Sequence, residues 1–380
     1  MKFVVILKEP IIDSIPNLKS FIMYAARNNH EILLLSTKSL KFPALSFLSE
    51  NIKYVAVNER TRSLQLPTSI RFYLLCISVL FSMILKKYKL ILAGQNALVL
   101  GYLISIIKLK KYCSFIIEYP ELSINNDEGL SVIEKLAHKG IRKSVFLITH
   151  DKLHADFIGE HLKIKDLKFV TIPNGTLGKA TVSESRFLHE RLGIPMDHKI
   201  VLHAGGFGPW FDSKSLAEKS ANLPYGYSLV FHISHNVTDD EYYNEYVRGK
   251  DVNDKSLFSM SPVATKELDK LVSSATIGIA WYSTDILGYR ATMLGLAAGK
   301  VGNYLKCGIP VIVPDYDSLS YISEFSCGKQ ISDLKQLNDA IAEIDKNYHV
   351  YSENALLCYN NLWATEKYCS ALISELQRNN

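Results

Sequence analysis

Short apolar runs alternate with amphipathic stretches along the whole chain, the pattern of βα units wound about parallel sheets. In the first half the runs are KFVVIL (2–7), EILLLS (31–36), KYVAV (53–57), YKLILAG (88–94), YCSFIIEY (112–119), SVFLITH (144–150) and LKFVTIPNG (167–175). They are nearly continuous in apolar character, as strands covered on both faces must be. Helical spacing lies between them, for example over residues 18–28 and 97–109. The turn signal Pro173-Asn174-Gly175 closes this series, and KIVLHAGG (199–206), YSLVFHIS (227–234), IGIAWYS (277–283) and IPVIVPD (309–315) open a second one. The pattern predicts an α/β chain of two Rossmann-like doubly wound domains, residues 1–176 and 177–354, whose strand ends face a cleft. Residues 352–376 read as one amphipathic helix, so that 355–380 crosses back to join the first domain. A length of 380 residues suits two domains of ordinary size.

One segment departs from the amphipathic rule. Residues 72–85, FYLLCISVLFSMIL, are 14 consecutive uncharged positions, apolar but for Ser78 and Ser82, followed by Lys86, Lys87 and Lys89. A bilayer span needs ~20. Two readings therefore stand: a buried core helix, or an interfacial helix whose lysines meet anionic lipid.

Composition adds limits. With 48% hydrophobic and 21% charged residues, close to the globular average, neither disorder nor a coiled coil is suggested. The six cysteines are scattered, without a CxxC pair or zinc-ligand spacing, which points to reduced thiols in a cytosolic protein. Lys8 and Glu9 interrupt the apolar amino-terminal run before any small-residue cleavage site, so it reads as a first strand and no secretion is expected. Residues 1–178 hold 24 Lys and Arg against 14 Asp and Glu, whereas the remainder holds 19 against 24. The basic half lacks a nucleic-acid-binding motif and places its lysines beside apolar runs, so the expected partner is a peripheral membrane surface, on the inner face of the plasma membrane, and no nucleic acid.

Residues 298–314, AGKVGNYLKCGIPVIVP, carry the most informative motif. Lys300, Tyr304, Leu305, Gly308, Pro310, Val311 and Ile312 match the K-x-x-E-Y-L-x-x-G-x-P-V-I helix and strand of family 4-type glycosyltransferases of GT-B fold, which this chain resembles. IIEYPEL (116–122), VTIPNG (170–175) and IVLHAGG (200–206) match further family segments in the same order, so the resemblance covers nearly the whole chain. Three positions depart from it: Asn303 stands where the family has its ribose-gripping glutamate, Gly295 where it has a second glutamate, and Phe207 where an arginine follows the glycine loop. The resemblance implies transfer of a sugar from a nucleotide-diphosphate sugar, UDP-sugar favoured, to a glycan or lipid-linked glycan acceptor in surface polysaccharide synthesis. It leaves open whether the anomeric configuration is retained or inverted.

That chemistry requires the leaving diphosphate to be neutralised. No DxD motif at a strand end offers a metal site, so neither metal nor cofactor is expected, and the task falls to cations and bare backbone. Gly205 and Gly206 end a strand and admit close approach of phosphate; Lys214 follows, and Lys300 opens a helix after Gly299. Phe258, Met260 and Val263, read as a loop, are the candidate base slot, and Asn303 the ribose contact. Tyr282, Asp285 and Arg290 follow a strand end as sugar contacts. Glu118, Glu121 and Asp13 are the candidate carboxylates for the acceptor hydroxyl. His150 and His154 read as structural. Two other readings share the fold: a UDP-sugar epimerase or phosphorylase, and a non-catalytic partner subunit.

Overall fold

Alternate residues of the first apolar run face opposite ways. Phe3, Val5 and Leu7 join one core and Val4 and Ile6 another, so β1 (Lys2–Leu7) is buried on both sides at the centre of a sheet. Around it stand β2 (Glu31–Lys38), β3 (Ile52–Asn58), β4 (Lys89–Ala93), β5 (Tyr112–Phe115), β6 (Leu147–Thr149) and β7 (Phe169–Thr171). All neighbours are parallel, in the order β3-β2-β1-β4-β5-β6-β7. The helices of this part are α1 (Pro16–Arg27), α2 (Thr68–Ser82), α3 (Gly94–Ile106), α4 (Val132–Lys143) and α5 (Lys152–His161). This computed structural model describes residues 1–39, 45–59, 66–83, 85–117, 130–234, 236–246, 256–264 and 267–378.

A second parallel sheet follows, in the order β10-β9-β8-β11-β12-β13. Its strands are β8 (Lys199–Ala204), β9 (Tyr227–Ile233), β10 (Ser256–Met260), β11 (Ile277–Ile279), β12 (Val311–Pro314) and β13 (Gly328–Ile331). Between them run α6 (Phe187–Leu192), α7 (Ser213–Ser220), α8 (Glu241–Tyr246), α9 (Leu268–Val272), α10 (Thr284–Leu287), α11 (Tyr289–Thr292), α12 (Gly299–Lys306) and α13 (Tyr321–Glu324). α14 (Leu337–Lys346), α15 (Tyr348–Cys358) and α16 (Glu366–Arg378) complete the chain. Both sheets are doubly wound, as the apolar pattern predicts.

By contacts the chain divides into two units, Met1–Leu177 with Thr365–Asn380, and Gly178–Ala364. The return to the first unit thus falls at Thr365 and not at the expected residue 355. The single helix expected over 352–376 is also corrected. α15 runs into a π turn (Tyr359–Trp363), and Ala364 is extended before α16 begins. The reason is packing: Ala355, Cys358, Tyr359 and Trp363 belong to the core of the second unit, and a Cβ at Gly302 would meet the Trp363 ring at 2.5 Å. Beyond the break, Cys369, Leu372, Ile373 and Leu376 recur at helical spacing and pack in the α1 core of the first unit.

The apolar segment 72–85 has a divided fate. Within α2, Phe72, Cys76 and Leu80 are buried, whereas Ile70, Leu74, Ile77 and Phe81 are exposed. Among the described residues no helix is long and apolar enough to cross a membrane. All six cysteines are buried free thiols.

Buried histidines make the first unit acid-sensitive. His150 receives the Asn17 amide at Nδ1 (3.1 Å) and lies 2.9 Å from the Ile117 carbonyl at Nε2. Burial, then the neighbouring His154, lowers its pKa from 6.5 to about 4. The folded state therefore binds fewer protons than the unfolded state between these values, and its stability falls as pH drops from 6.5 towards 4, by on the order of 3 kcal/mol for this group. Urea midpoints across that range are expected to drop, and His150→Gln to flatten the dependence; an unchanged slope in the variant would assign the effect elsewhere.

Candidate functional site

In each sheet the chain reverses direction of winding at one place, and loops at the carboxyl ends of the two strands there are the usual ligand position. In the second unit the switch lies between β8 and β11. The loop after β8 carries Gly205 and Gly208 at φ of 119° and 145°, conformations that glycine tolerates. A Cβ at Gly205 would come 2.8 Å from Lys300 Cε, and one at Gly206 would enter the Phe211 ring at 2.1 Å. Bare backbone at 205 and 206 is thus what lets Lys300 lie across the loop.

Lys300 is held from several sides. It occupies the first turn of α12, whose Tyr304 is fully buried. The Tyr304 hydroxyl donates to the Leu202 carbonyl (2.8 Å) and accepts from the Ala204 amide (2.8 Å), tying this helix to the end of β8. Lys300 Nζ stands 3.0 Å from His203 Nε2, 3.5 Å above the centre of the Phe211 ring and 5.6 Å from that of Tyr282. Enclosure of the amine by these rings pushes its pKa well below 10.5. Burial, and then Lys300 itself, likewise keeps His203 neutral, well below 6.5. An anion arriving beside Lys300 would restore the ammonium.

Gly278 makes the same arrangement possible from below. A Cβ there would meet the Tyr304 ring at 2.4 Å. Gly278→Ala is expected to destabilise the second unit by about 1–3 kcal/mol through overpacking, seen as a lower Tm. Unchanged melting would mean that Tyr304 is not fixed as described.

The other residues read from sequence as donor contacts divide between this site and elsewhere. Tyr282 is buried against Phe211, with ring centres 5.8 Å apart, and burial raises its hydroxyl pKa. Asp285, on α10, is exposed; Arg290, on α11, and Asn303, on α12, are half-buried. Lys214 lies in the first turn of α7, where its amide donates to the Tyr242 hydroxyl at 3.0 Å. The loop expected for the base is corrected: Phe258 and Met260 belong to strand β10, and only Val263 lies in the segment after it. Packing also separates them, since Phe258 and Met260 lie against one core and Val263 against the other. Phe258 stacks on Phe231 at 5.2 Å, and Phe207 joins them at 5.6 and 5.9 Å. Phe207, standing where the resemblance has an arginine, is therefore part of an aromatic core. His203 and Phe211 were not singled out from sequence; spacing alone does not reveal that they stand against Lys300.

In the first unit the switch lies between β1 and β4. Three residues meet there that sequence reasoning missed. Glu9 Oε1 accepts from Asn96 Nδ2 at 2.5 Å, and Lys8 Nζ donates to Asn96 Oδ1 at 3.2 Å. The loop is tied down by Thr37, whose hydroxyl donates to the Lys8 carbonyl (2.6 Å), and Asn96 by Tyr73, which donates to its carbonyl (3.1 Å). Glu9 Oε2 is buried and has no hydrogen-bond partner among the described residues. It sits over Gly94, where a Cβ would approach it to 3.1 Å.

Asp13, the carboxylate expected after β1, is committed otherwise. Oδ1 accepts from Lys19 Nζ (2.7 Å) and Ser46 Oγ (2.7 Å), and Oδ2 from the Ser46 amide (3.0 Å). Burial raises its pKa, but these hydrogen bonds outweigh it and hold the carboxyl below 3.8. Glu118 and Glu121 lie outside the described residues. His154 pairs with Asp151 at 2.7 Å and, like His150, has a local structural role. Among the described residues no group of three or more His, Cys, Asp and Glu could hold a metal ion.

Residues 241–365 match the family profile of the glucosyltransferase 3-like C-terminal domain. No curated protein matches the chain by sequence. Solved structures match over its full length. Sucrose-phosphate synthase of Thermosynechococcus elongatus is similar at 13% identity and a TM-score of 0.74, covering 100% of this chain and 98% of that one. HepE of Anabaena in complex with UDP is similar at 14% identity and a TM-score of 0.72, with 100% of both chains covered. WaaG, a glycosyltransferase involved in lipopolysaccharide biosynthesis, is similar at 12% identity and a TM-score of 0.65, covering 98% and 99%. The fold is accordingly GT-B, with both Rossmann-like units and the carboxyl-terminal helix returned to the first.

Proposed function

We propose that the chain is a glycosyltransferase of the family 4 type that moves a sugar from a UDP-sugar to a hydroxyl of a lipid-linked glycan, in surface polysaccharide synthesis at the inner face of the plasma membrane. The carrying observation is Lys300, enclosed at the β8/β11 switch beside the bare backbone of Gly205 and Gly206. A diphosphate placed there would meet a charge-assisted donor and would favour its ammonium form against the burial that disfavours it. Gly205, Gly206, Lys214, Tyr282, Asp285, Arg290, Lys300 and Asn303 are assigned to the donor, and Phe258 and Met260 move to the aromatic floor behind the loop. The second unit thus holds the donor and the first receives the acceptor.

The choice of nucleotide and sugar rests on the comparisons. HepE was crystallised with UDP and with UDP-glucose, and the matched profile is named for a glucosyltransferase, so UDP-glucose is the first donor to test. For the acceptor hydroxyl the assignment passes from Asp13, whose oxygens are occupied, to Glu9, whose buried Oε2 has no hydrogen-bond partner among the described residues at the first switch. Glu118 and Glu121 stay as acceptor-side carboxylates by their place in the sequence. Neutralisation of the leaving diphosphate is assigned to Lys300 and backbone amides.

The test is a panel of UDP, GDP and their sugars in thermal melting, followed by incubation of the binding donor with and without a lipid-linked glycan. Melting is expected to rise with UDP and UDP-glucose, since a ligand of the folded state stabilises it by mass action. Sugar should then leave UDP only when acceptor is present. An isomerised sugar formed without acceptor would replace this reading with an epimerase, and no shift with any nucleotide would replace it with a non-catalytic subunit.

A further inference from the structure

The amino-terminal edge of the first sheet, opposite the end that carries Glu9 and Asn96, holds a cavity of about 670 Å³. That volume is within the range of small-molecule sites. It forms where β1, β4 and β5 begin, closed on one side by Leu376 and Gln377 at the end of α16. Its walls are aromatic and aliphatic, with Tyr88, Leu90, Tyr112 and Val145. Five lysines, Lys2, Lys87, Lys89, Lys110 and Lys111, line the same space.

The lysines are close enough to feel one another. Burial, partly offset by the Cys113 thiol and reinforced by Lys110 and Lys111, lowers the pKa of Lys89 from 10.5. Lys110 Nζ lies 4.5 Å over the Tyr88 ring. Carboxylates answer only part of this charge. Lys2 pairs with Glu31 at 2.9 Å, and the Cys113 thiol, whose pKa burial raises, is pushed up a little further by Glu375. Lys87, Lys110 and Lys111 make no ion pair among the described residues. Concentrated like charge in an apolar-walled cavity is the electrostatic complement of an anion.

The surroundings say which anion. Helices in a doubly wound unit run antiparallel to the strands, so α2 and α3 end at this edge and feed directly into Lys86–Lys89 and Lys108–Lys111. Those ends carry Phe81 (55% exposed), Leu85 (97%), Ile106 (58%) and Ile107 (60%). Large apolar side chains interleaved with lysines are the composition of a surface that meets an anionic bilayer.

We propose that this cavity binds the phosphate headgroup of an anionic lipid, with Leu85, Ile106 and Ile107 entering the interfacial layer around it. The proposal rests on the membrane partner assigned above and supplies it with a site, on the edge of the sheet away from the acceptor carboxylate.

The experiment uses the full chain and co-flotation with vesicles of phosphatidylcholine alone or with phosphatidylglycerol added. Binding is expected only to the mixed vesicles and is expected to weaken as salt rises. The double variant Lys110→Glu/Lys111→Glu should lose about tenfold or more of that binding. UDP-induced thermal shifts, measured on the same samples, report the fold and the donor site separately. Unaltered vesicle binding by a variant that still responds to UDP would place docking elsewhere and overturn the cavity. Inorganic pyrophosphate that stabilises the Lys300→Ala protein through Lys110 and Lys111, with mixed vesicles ignored, would overturn the lipid and identify a soluble phosphate ligand. Vesicle binding without any response to UDP would leave this proposal intact and remove the donor reading alone.

Discussion

Replacing Lys300 by alanine is expected to weaken UDP binding by about ten- to a hundredfold, the cost of one hydrogen bond to a charged group, while uridine binds as before. Discrimination between the two ligands is the point of the measurement. Lys300 lies across the glycine loop with Nζ between His203 and the Phe211 ring, apart from the Phe207, Phe231 and Phe258 cluster, so its loss should be felt by phosphate more than by the base. The same geometry sets a pH dependence. In the free protein the ammonium is destabilised by burial, and a bound diphosphate raises its pKa again. Binding then takes up a proton wherever the free group is neutral, and affinity falls as pH rises through the lowered pKa of the free lysine. Calorimetry in buffers of different ionisation enthalpy reads that proton directly. Equal loss for UDP and uridine in the Lys300→Ala protein would show that the lysine shapes the pocket and does not hold phosphate.

The second large effect is expected from Glu9→Gln. Glutamine keeps the shape and the hydrogen bond with Asn96 but lacks a carboxylate to draw the proton of an acceptor hydroxyl. Transfer should fall by about a hundredfold or more, the usual contribution of a positioned base. UDP affinity and Tm should stay where they are, because the residues assigned to the donor belong to the other unit and glutamine keeps the shape of Glu9. Asp13→Asn makes the contrast: its carboxylate serves Lys19 and Ser46, so it should lower stability more than turnover. If Asp13→Asn abolishes transfer at full stability while Glu9→Gln is active, the two roles are reversed.

Much of the fold was legible before the structure. The two parallel sheets follow from apolar runs whose length and continuity suit strands covered on both faces, and the strands at the switch points were all among them. The two strands that escaped notice, β10 and β13, lie at the edges of the second sheet. SLFSM and GKQI carry too few apolar residues to stand out, because an edge strand is partly open and need not be continuous in character. For the same reason Phe258 and Met260 read as a loop. The carboxyl-terminal break was hidden because α15, the π turn and α16 are all apolar at helical spacing, and only the choice of which unit to pack against separates them.

At the site the division is sharper. Local sequence determined the glycine loop, the helix opening at Lys300 and the strand-end segment after Ile279, since each is a matter of backbone freedom, periodicity and turn chemistry within a few residues. The tertiary structure decided what surrounds them. His203 and Phe211, nearly a hundred residues from Lys300 in the chain, enclose its amine and shift its charge. Glu9 is placed, with Oε1 on Asn96 and Oε2 over Gly94, only where β4 comes beside β1. Burial and electrostatic environment are sums over neighbours in space, and order along a chain does not specify those neighbours until the sheets have closed upon them.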